Sequence, residues 1–104
     1  MIIEIVRFAL PAGTDRAKAL ELFSSSAAAW VTNKDLVEKY YFFSEAGCLG
    51  GGVYIWTSAE ATQRWHGHEY REMVRRTYGS VPKIEVYDAL LHVDTAASEV
   101  RVLP

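Results

Sequence analysis

Two apolar runs, Leu36 to Ser44 and Leu49 to Trp56, are separated by a few residues around Ala46-Gly47. The first holds Tyr40-Tyr41-Phe42-Phe43 at its heart and the second closes on Val53-Tyr54-Ile55-Trp56. Runs rich in aromatic and β-branched residues read as strands. A loop this short makes them an antiparallel hairpin. A sheet with one wet face alternates apolar and polar residues. Here Leu36, Tyr40 and Phe42 are expected on one side of the first strand, with Val37, Tyr41 and Phe43 on the other. Val53 and Ile55 likewise oppose Tyr54 and Trp56. Both faces are apolar, so both need cover. Helices of the same chain can cover one face. A homodimer packing sheet on sheet is the economical cover for the other.

The flanking segments supply those helices. Ile2 to Phe8 reads as a first strand, and Pro11-Ala12-Gly13 as a turn. Thr14 or Asp15 can cap a helix that runs to about Trp30, with Ala19, Leu22, Phe23, Ser26 and Trp30 on one face. After the hairpin, Thr57-Ser58-Ala59-Glu60 fits the capping box of a second helix. That helix is expected to end near Tyr78, with Gly79 as its cap and Pro82 as a stop. Lys83 to Val93 reads as a fourth strand. The tail, residues 94–104, is weakly patterned, and Val100 and Val102 suit a short edge strand or an arm onto a partner. The order β-α-β-β-α-β is the ferredoxin-like pattern. The expected fold is α+β: one domain over residues 1–104, with a four-stranded antiparallel sheet and two helices on one face.

Composition narrows the function classes. The chain has 104 residues, a net charge of −2 and 12% aromatic residues. Apart from Arg75-Arg76 it has no basic tract, so the electrostatic footprint of a nucleic-acid binder is missing. No run approaches the roughly 20 apolar residues of a membrane span. Met1-Ile2-Ile3-Glu4-Ile5 lacks the basic start of a signal peptide, and a cytoplasmic protein is expected. Cys48 is the single cysteine, which leaves no internal disulfide or multi-cysteine metal site.

Gly51-Gly52-Val53-Tyr54-Ile55-Trp56 followed by a capped helix, then Arg75-Arg76-Thr77-Tyr78-Gly79-Ser80-Val81-Pro82, resembles the YdhR-like family of candidate monooxygenases. Leu36-Val37-Glu38-Lys39-Tyr40-Tyr41 is similar to that family's second strand, which carries a lysine before an aromatic residue. The family lies in the dimeric α/β-barrel superfamily, beside the antibiotic-biosynthesis monooxygenases. The resemblance runs from the first strand to Val93. It implies an obligate dimer with a barrel-like core between two sheets, and a pocket in each subunit between sheet and helices. By way of better-understood relatives it also implies oxidation of polycyclic phenols to quinones without metal or flavin. Lys34-Asp35 stands where the family has Pro-Gly before its second strand.

His66 is the catalytic candidate. At about 100° per residue it shares a helical stripe with Thr62, Tyr70, Met73 and Thr77, which should face the sheet. An imidazole there can accept a phenolic proton, or be an ordinary hydrogen-bonded core histidine. His68 is expected in solvent near Arg71 and Arg75. The i, i+2 spacing of His66 and His68 points them apart, so a helical metal pair is disfavoured. Trp65 and Trp30 suit aromatic walls for a flat ligand, or plain core packing. Tyr54 and Tyr41 can present hydroxyls to a substrate, since buried phenols need partners. Lys39 can hold an oxyanion such as a phenolate, or pair with Glu85 or Asp88 at a dimer edge. Gly50-Gly51-Gly52 leaves room for another group to approach the sheet.

Three functions fit these residues. One is a cofactor-independent monooxygenase acting on a small aromatic or phenolic compound. Another is a haem-binding or haem-degrading protein of the same superfamily, with Trp65 and His66 contributing. The third is a non-catalytic dimer that binds a small molecule.

Overall fold

The computed structural model describes residues 1–104. Strands β1 (Ile2–Ala9), β2 (Leu36–Ser44), β3 (Leu49–Trp56) and β4 (Lys83–Asp88) form an antiparallel sheet in the order β2-β3-β1-β4. Helices α1 (Arg16–Val31), α2 (Ala59–Trp65) and α3 (His68–Tyr78) pack on one face. This is the ferredoxin-like α+β fold expected from the sequence, with three helices in place of two.

The local chemistry explains most element ends. Asp15 caps α1, its Oδ1 accepting the Lys18 N–H at 2.8 Å. Ala19 and Phe23 on α1 are buried, with Leu22 and Trp30 packed against the same core. The second helical segment departs from expectation at both its start and its middle. Ser58, not Thr57, is the cap, accepting from Ala61 N–H at 3.3 Å. The helix then breaks at His66 (φ −120°, ψ 39°), and Gly67 opens α3 in extended backbone. Gly79 ends α3 at φ +83°, the left-handed conformation glycine adopts at helix ends.

The expected fourth strand is also divided. β4 stops at Asp88, and Ala89 N–H donates to the Met1 carbonyl at 3.0 Å. The chain continues as β5 (Leu91–Asp94), which pairs with β6 (Glu99–Val102) in a separate hairpin. Val100 and Val102 therefore sit in a strand paired to Leu91–Asp94 and not at the edge of the main sheet.

The most consequential departure is a bulge in β2. Leu36 pairs with Trp56 and Glu38 with Ile55, so the register shifts between Leu36 and Glu38. A bulge adds one residue and reverses side-chain parity beyond it. Leu36 therefore shares the helix-covered face with Lys39, Tyr41 and Phe43, while Val37 joins Tyr40 and stands exposed. The alternation assigned to Leu36 and Val37 from sequence is reversed at those two positions alone.

Gly51 allows the sheet to close. A Cβ there would lie 1.8 Å from the Val6 carbonyl oxygen, a backbone clash that no rotamer relieves. The face away from the helices carries Ile3, Ile5, Val53, Ile55 and Phe42, all partly exposed, with Tyr40 and Tyr87 more so. No helix of the chain is long and apolar enough to cross a membrane.

Candidate functional site

The helix-covered face holds an aromatic cluster built on one buried carboxylate. Glu4 projects from β1 into the core and is 1% exposed. Alternation along β1 places it there: Ile2, Glu4, Val6 and Phe8 are the buried set. Its Oε1 accepts the Trp56 Nε1–H from the neighbouring strand at 3.0 Å. The same oxygen meets His66 Nδ1 in a short, fully buried contact. A buried carboxyl oxygen needs hydrogen-bond partners, and these two donors supply them.

His66 reaches Glu4 because of the helix break. As the C-cap of α2 it is 3% exposed, and its backbone N–H donates to Thr62 O at 2.8 Å. Burial holds its pKa below the ordinary histidine value, against the opposing pull of Glu4. The neutral ring donates Nδ1–H to Glu4 and leaves Nε2 buried without a partner. A protonated ring would bury an N–H with no acceptor, which works in the same direction. Tyr70 of α3 stacks on the imidazole at 3.9 Å between centroids, and Tyr54 meets its edge at 4.4 Å.

Beyond these two tyrosines lies a cavity of about 150 Å³ between α1, α3 and the sheet. Its walls include Trp30, Tyr41, Tyr54, Tyr70 and Lys39. A cavity of about this volume accommodates a single benzene ring. Gly52 keeps it open: a Cβ there would come within 3.1 Å of Lys39 Cε and 3.0 Å of the Tyr54 ring. Tyr54 and Tyr70 hydroxyls are 3.4 Å apart, and Tyr41 shares a 2.7 Å hydrogen bond with Ser26. Burial raises all three phenols, Tyr70 to about 12, so they remain protonated at neutral pH.

Lys39 is the one charged side chain of this lining. Its Nζ stands 3.8 Å from the Tyr41 ring centroid, 4.4 Å from Tyr54 and 4.6 Å from Trp30. None of the chain's ion pairs involves it. The pairing with Glu85 or Asp88 does not form within the chain. Those residues lie on β4, at the opposite edge of the sheet from β2, and Glu85 pairs with Arg7 at 3.2 Å. Burial pulls the Lys39 ammonium down to about 7, while the three ring faces favour the cation.

The structure thus gathers Lys39, Tyr41, Tyr54 and Trp30 around one cavity and sets His66 behind it, screened by Tyr54 and Tyr70. Trp65 lies elsewhere. It is 42% exposed and donates Nε1–H to Asp35 Oδ2 at 2.9 Å, lining an open groove with Asn33 and Lys34. His68 is exposed at the start of α3. Sequence reasoning missed Glu4, to which it assigned no role, and Tyr70, read only as a neighbour of His66. A charge at an inward position of the central strand was the available signal for Glu4. No group of three or more histidine, cysteine and acidic side chains is placed to hold a metal ion.

No family model and no curated protein matches the chain. Solved structures do. A candidate antibiotic biosynthesis monooxygenase from Deinococcus radiodurans superposes with a TM-score of 0.68 at 13% identity, over 90% of this chain and 97% of that one. SnoaB from Streptomyces nogalater, a cofactor-independent oxygenase, gives 0.60 at 14% identity, over 85% and 91%. A candidate antibiotic biosynthesis monooxygenase from Bordetella bronchiseptica gives 0.59 at 14% identity, over 86% and 98%. At these identities the likeness is one of architecture. The chain has the ferredoxin-like fold of the antibiotic-biosynthesis monooxygenases.

Proposed function

We propose that the chain is a cofactor-independent monooxygenase of one-ring phenols, acting as a homodimer. The observation that carries this reading is the aromatic cavity with a single lysine at its wall. Its size suits one ring. The likeness to SnoaB supports the reaction class.

Chemistry would begin when the Lys39 amine takes the phenolic proton and, as an ammonium, holds the phenolate. A phenolate in a dry pocket is more reactive than one in water. Its ring passes electrons to dioxygen, forming a carbon-bound hydroperoxide. Loss of water leaves the quinone, so one oxygen atom enters the product and the other leaves as water. The tyrosine hydroxyls are placed to orient the substrate oxygen. His66 does not touch the substrate in this scheme. With Glu4 it is a positioning residue that fixes the Tyr70 and Tyr54 rings.

The haem alternative has less support, because the cavity suits one ring and the His66 imidazole is covered by Tyr70. A non-catalytic binding role would use the same cavity, and turnover separates the two. The partly exposed apolar sheet face, continued by exposed Leu91 and Val93 of the β5–β6 hairpin, supports a second copy as partner. The test is oxygen uptake by purified protein on a panel of one-ring phenols and hydroquinones. Uptake lost in Lys39→Met supports the reading. No uptake above that control on any substrate rejects it.

A further inference from the structure

Lys39 is chemically unusual apart from any oxygenase role. An ammonium offers three N–H donors, and in this chain its surroundings are ring faces. Ring faces attract a cation but accept no conventional hydrogen bond. A protonated imine suits such a cage better: it carries one N–H and spreads its charge onto carbon. The free amine also suits it, since its lone pair needs no donor. The cavity beside Nζ has room for one aromatic ring, and the paired Tyr54 and Tyr70 hydroxyls line the same space.

We propose that Lys39 is a carbonyl-trapping residue, whose Nζ condenses with a one-ring aromatic aldehyde held in this cavity. The amine lone pair adds to the aldehyde carbon, giving a carbinolamine as a proton moves from nitrogen to oxygen. The carbinolamine expels water, and a carbon–nitrogen double bond replaces the carbon–oxygen one. The tyrosine hydroxyls are placed to deliver and recover the protons of that step. The free-amine population near pH 7 agrees with this chemistry. The groups facing Lys39 are Tyr41 from its own strand, Tyr54 from β3, Tyr70 from α3 and Ser26 and Trp30 from α1, with His66 behind. This activity goes beyond the oxygenase reading and does not depend on it.

The test uses the intact wild-type chain, 4-hydroxybenzaldehyde and sodium cyanoborohydride, which reduces the imine to a stable secondary amine. Peptide mapping by mass spectrometry then compares Lys39 with exposed Lys18, Lys34 and Lys83 and with the Met1 amine. An ordinary lysine near 10.4 holds about a thousandfold less free amine at pH 7 than one near 7. Lys39 should therefore label at least about tenfold faster than the other three lysines at pH 7, with its rate levelling off above that pH. In concentrated urea the preference should vanish. Labelling of Lys39 no faster than that of Lys18, Lys34 and Lys83, or a preference that survives in urea, overturns the proposal. Oxygen uptake on phenols is a separate readout, so a failed labelling and a failed oxygenase assay are told apart.

Discussion

Replacing Glu4 by alanine tests the centre of the fold and the support of the site together. The change removes the acceptor shared by Trp56 Nε1 and His66 Nδ1, both buried. Each donor left unpaired costs about 1–3 kcal/mol. A domain of this size has about 5–15 kcal/mol in total. Glu4→Ala should therefore remove a third or more of the stability and lower Tm by on the order of 12 °C or more. Urea titration followed by circular dichroism, at fixed protomer concentration, measures the loss. Combining it with His66→Ala closes a double-mutant cycle. The two share one contact, so the cycle should show a coupling of about 0.5–3 kcal/mol. A Glu4→Ala loss below about 1 kcal/mol with unchanged m, or simple additivity, would refute the assignment of Glu4 as the anchor.

The other predictions concern single positions. Burial holds the Lys39 pKa near 7, below the unfolded value of about 10.4, so the folded state binds fewer protons in that window. Compared with Lys39→Met, the wild type should gain stability from pH 7 to 10, by no more than about 1.4 kcal/mol per pH unit and less for its partial exposure; parallel pH profiles would contradict this. His66 has a lowered folded pKa, so its contribution is complete above about 6.5 and is lost as pH falls below that value. Nitrogen-15 NMR should show a neutral, Nδ1-protonated ring at pH 7; an imidazolium signal there would reverse the sign. Gly51→Ala forces a Cβ to 1.8 Å from the Val6 carbonyl and should cost more than about 4 kcal/mol or prevent folding. Gly52→Ala meets only the flexible end of Lys39 and the Tyr54 ring, so it should fold but bind one-ring phenols more weakly. Trp65→Phe removes a surface hydrogen bond to Asp35 and should leave oxygen uptake within about twofold, since Trp65 lies outside the cavity.

The sheet and its helical cover were legible because they rest on periodicity and turn chemistry. The limits of β2 and β3 agree with the apolar runs, and Asp15 caps α1 as its residue type permits. The breaks were not legible. Nothing in Gln63 to His68 marks an interruption except Gly67, which a helix tolerates at modest cost. That break carries His66 back to Glu4. The candidate site was half legible. Lys39, Tyr41, Tyr54 and Trp30 stand out by residue type and face, and they share one cavity. The Glu4 contact was invisible because its partners lie 52 and 62 residues away. Trp65 lines a different groove because the bend after it turns the indole toward Asp35 and the surface.

The bulge between Leu36 and Glu38 makes the cavity's chemistry depend on residue count as well as residue identity. With Val37 present, a β2 strand without the bulge could not keep both Leu36 and Lys39 on the helix-covered face; one of them would turn outward. Deleting Val37 would instead set Leu36 and Glu38 as neighbours opposite Trp56 and Ile55, and plain alternation would keep Leu36, Lys39, Tyr41 and Phe43 inward. The preceding loop, Thr32 to Asp35, carries no such constraint, because its length does not set which way β2 side chains point. Relatives that keep an amine in the cavity should therefore either keep the bulge or lack the residue at Val37.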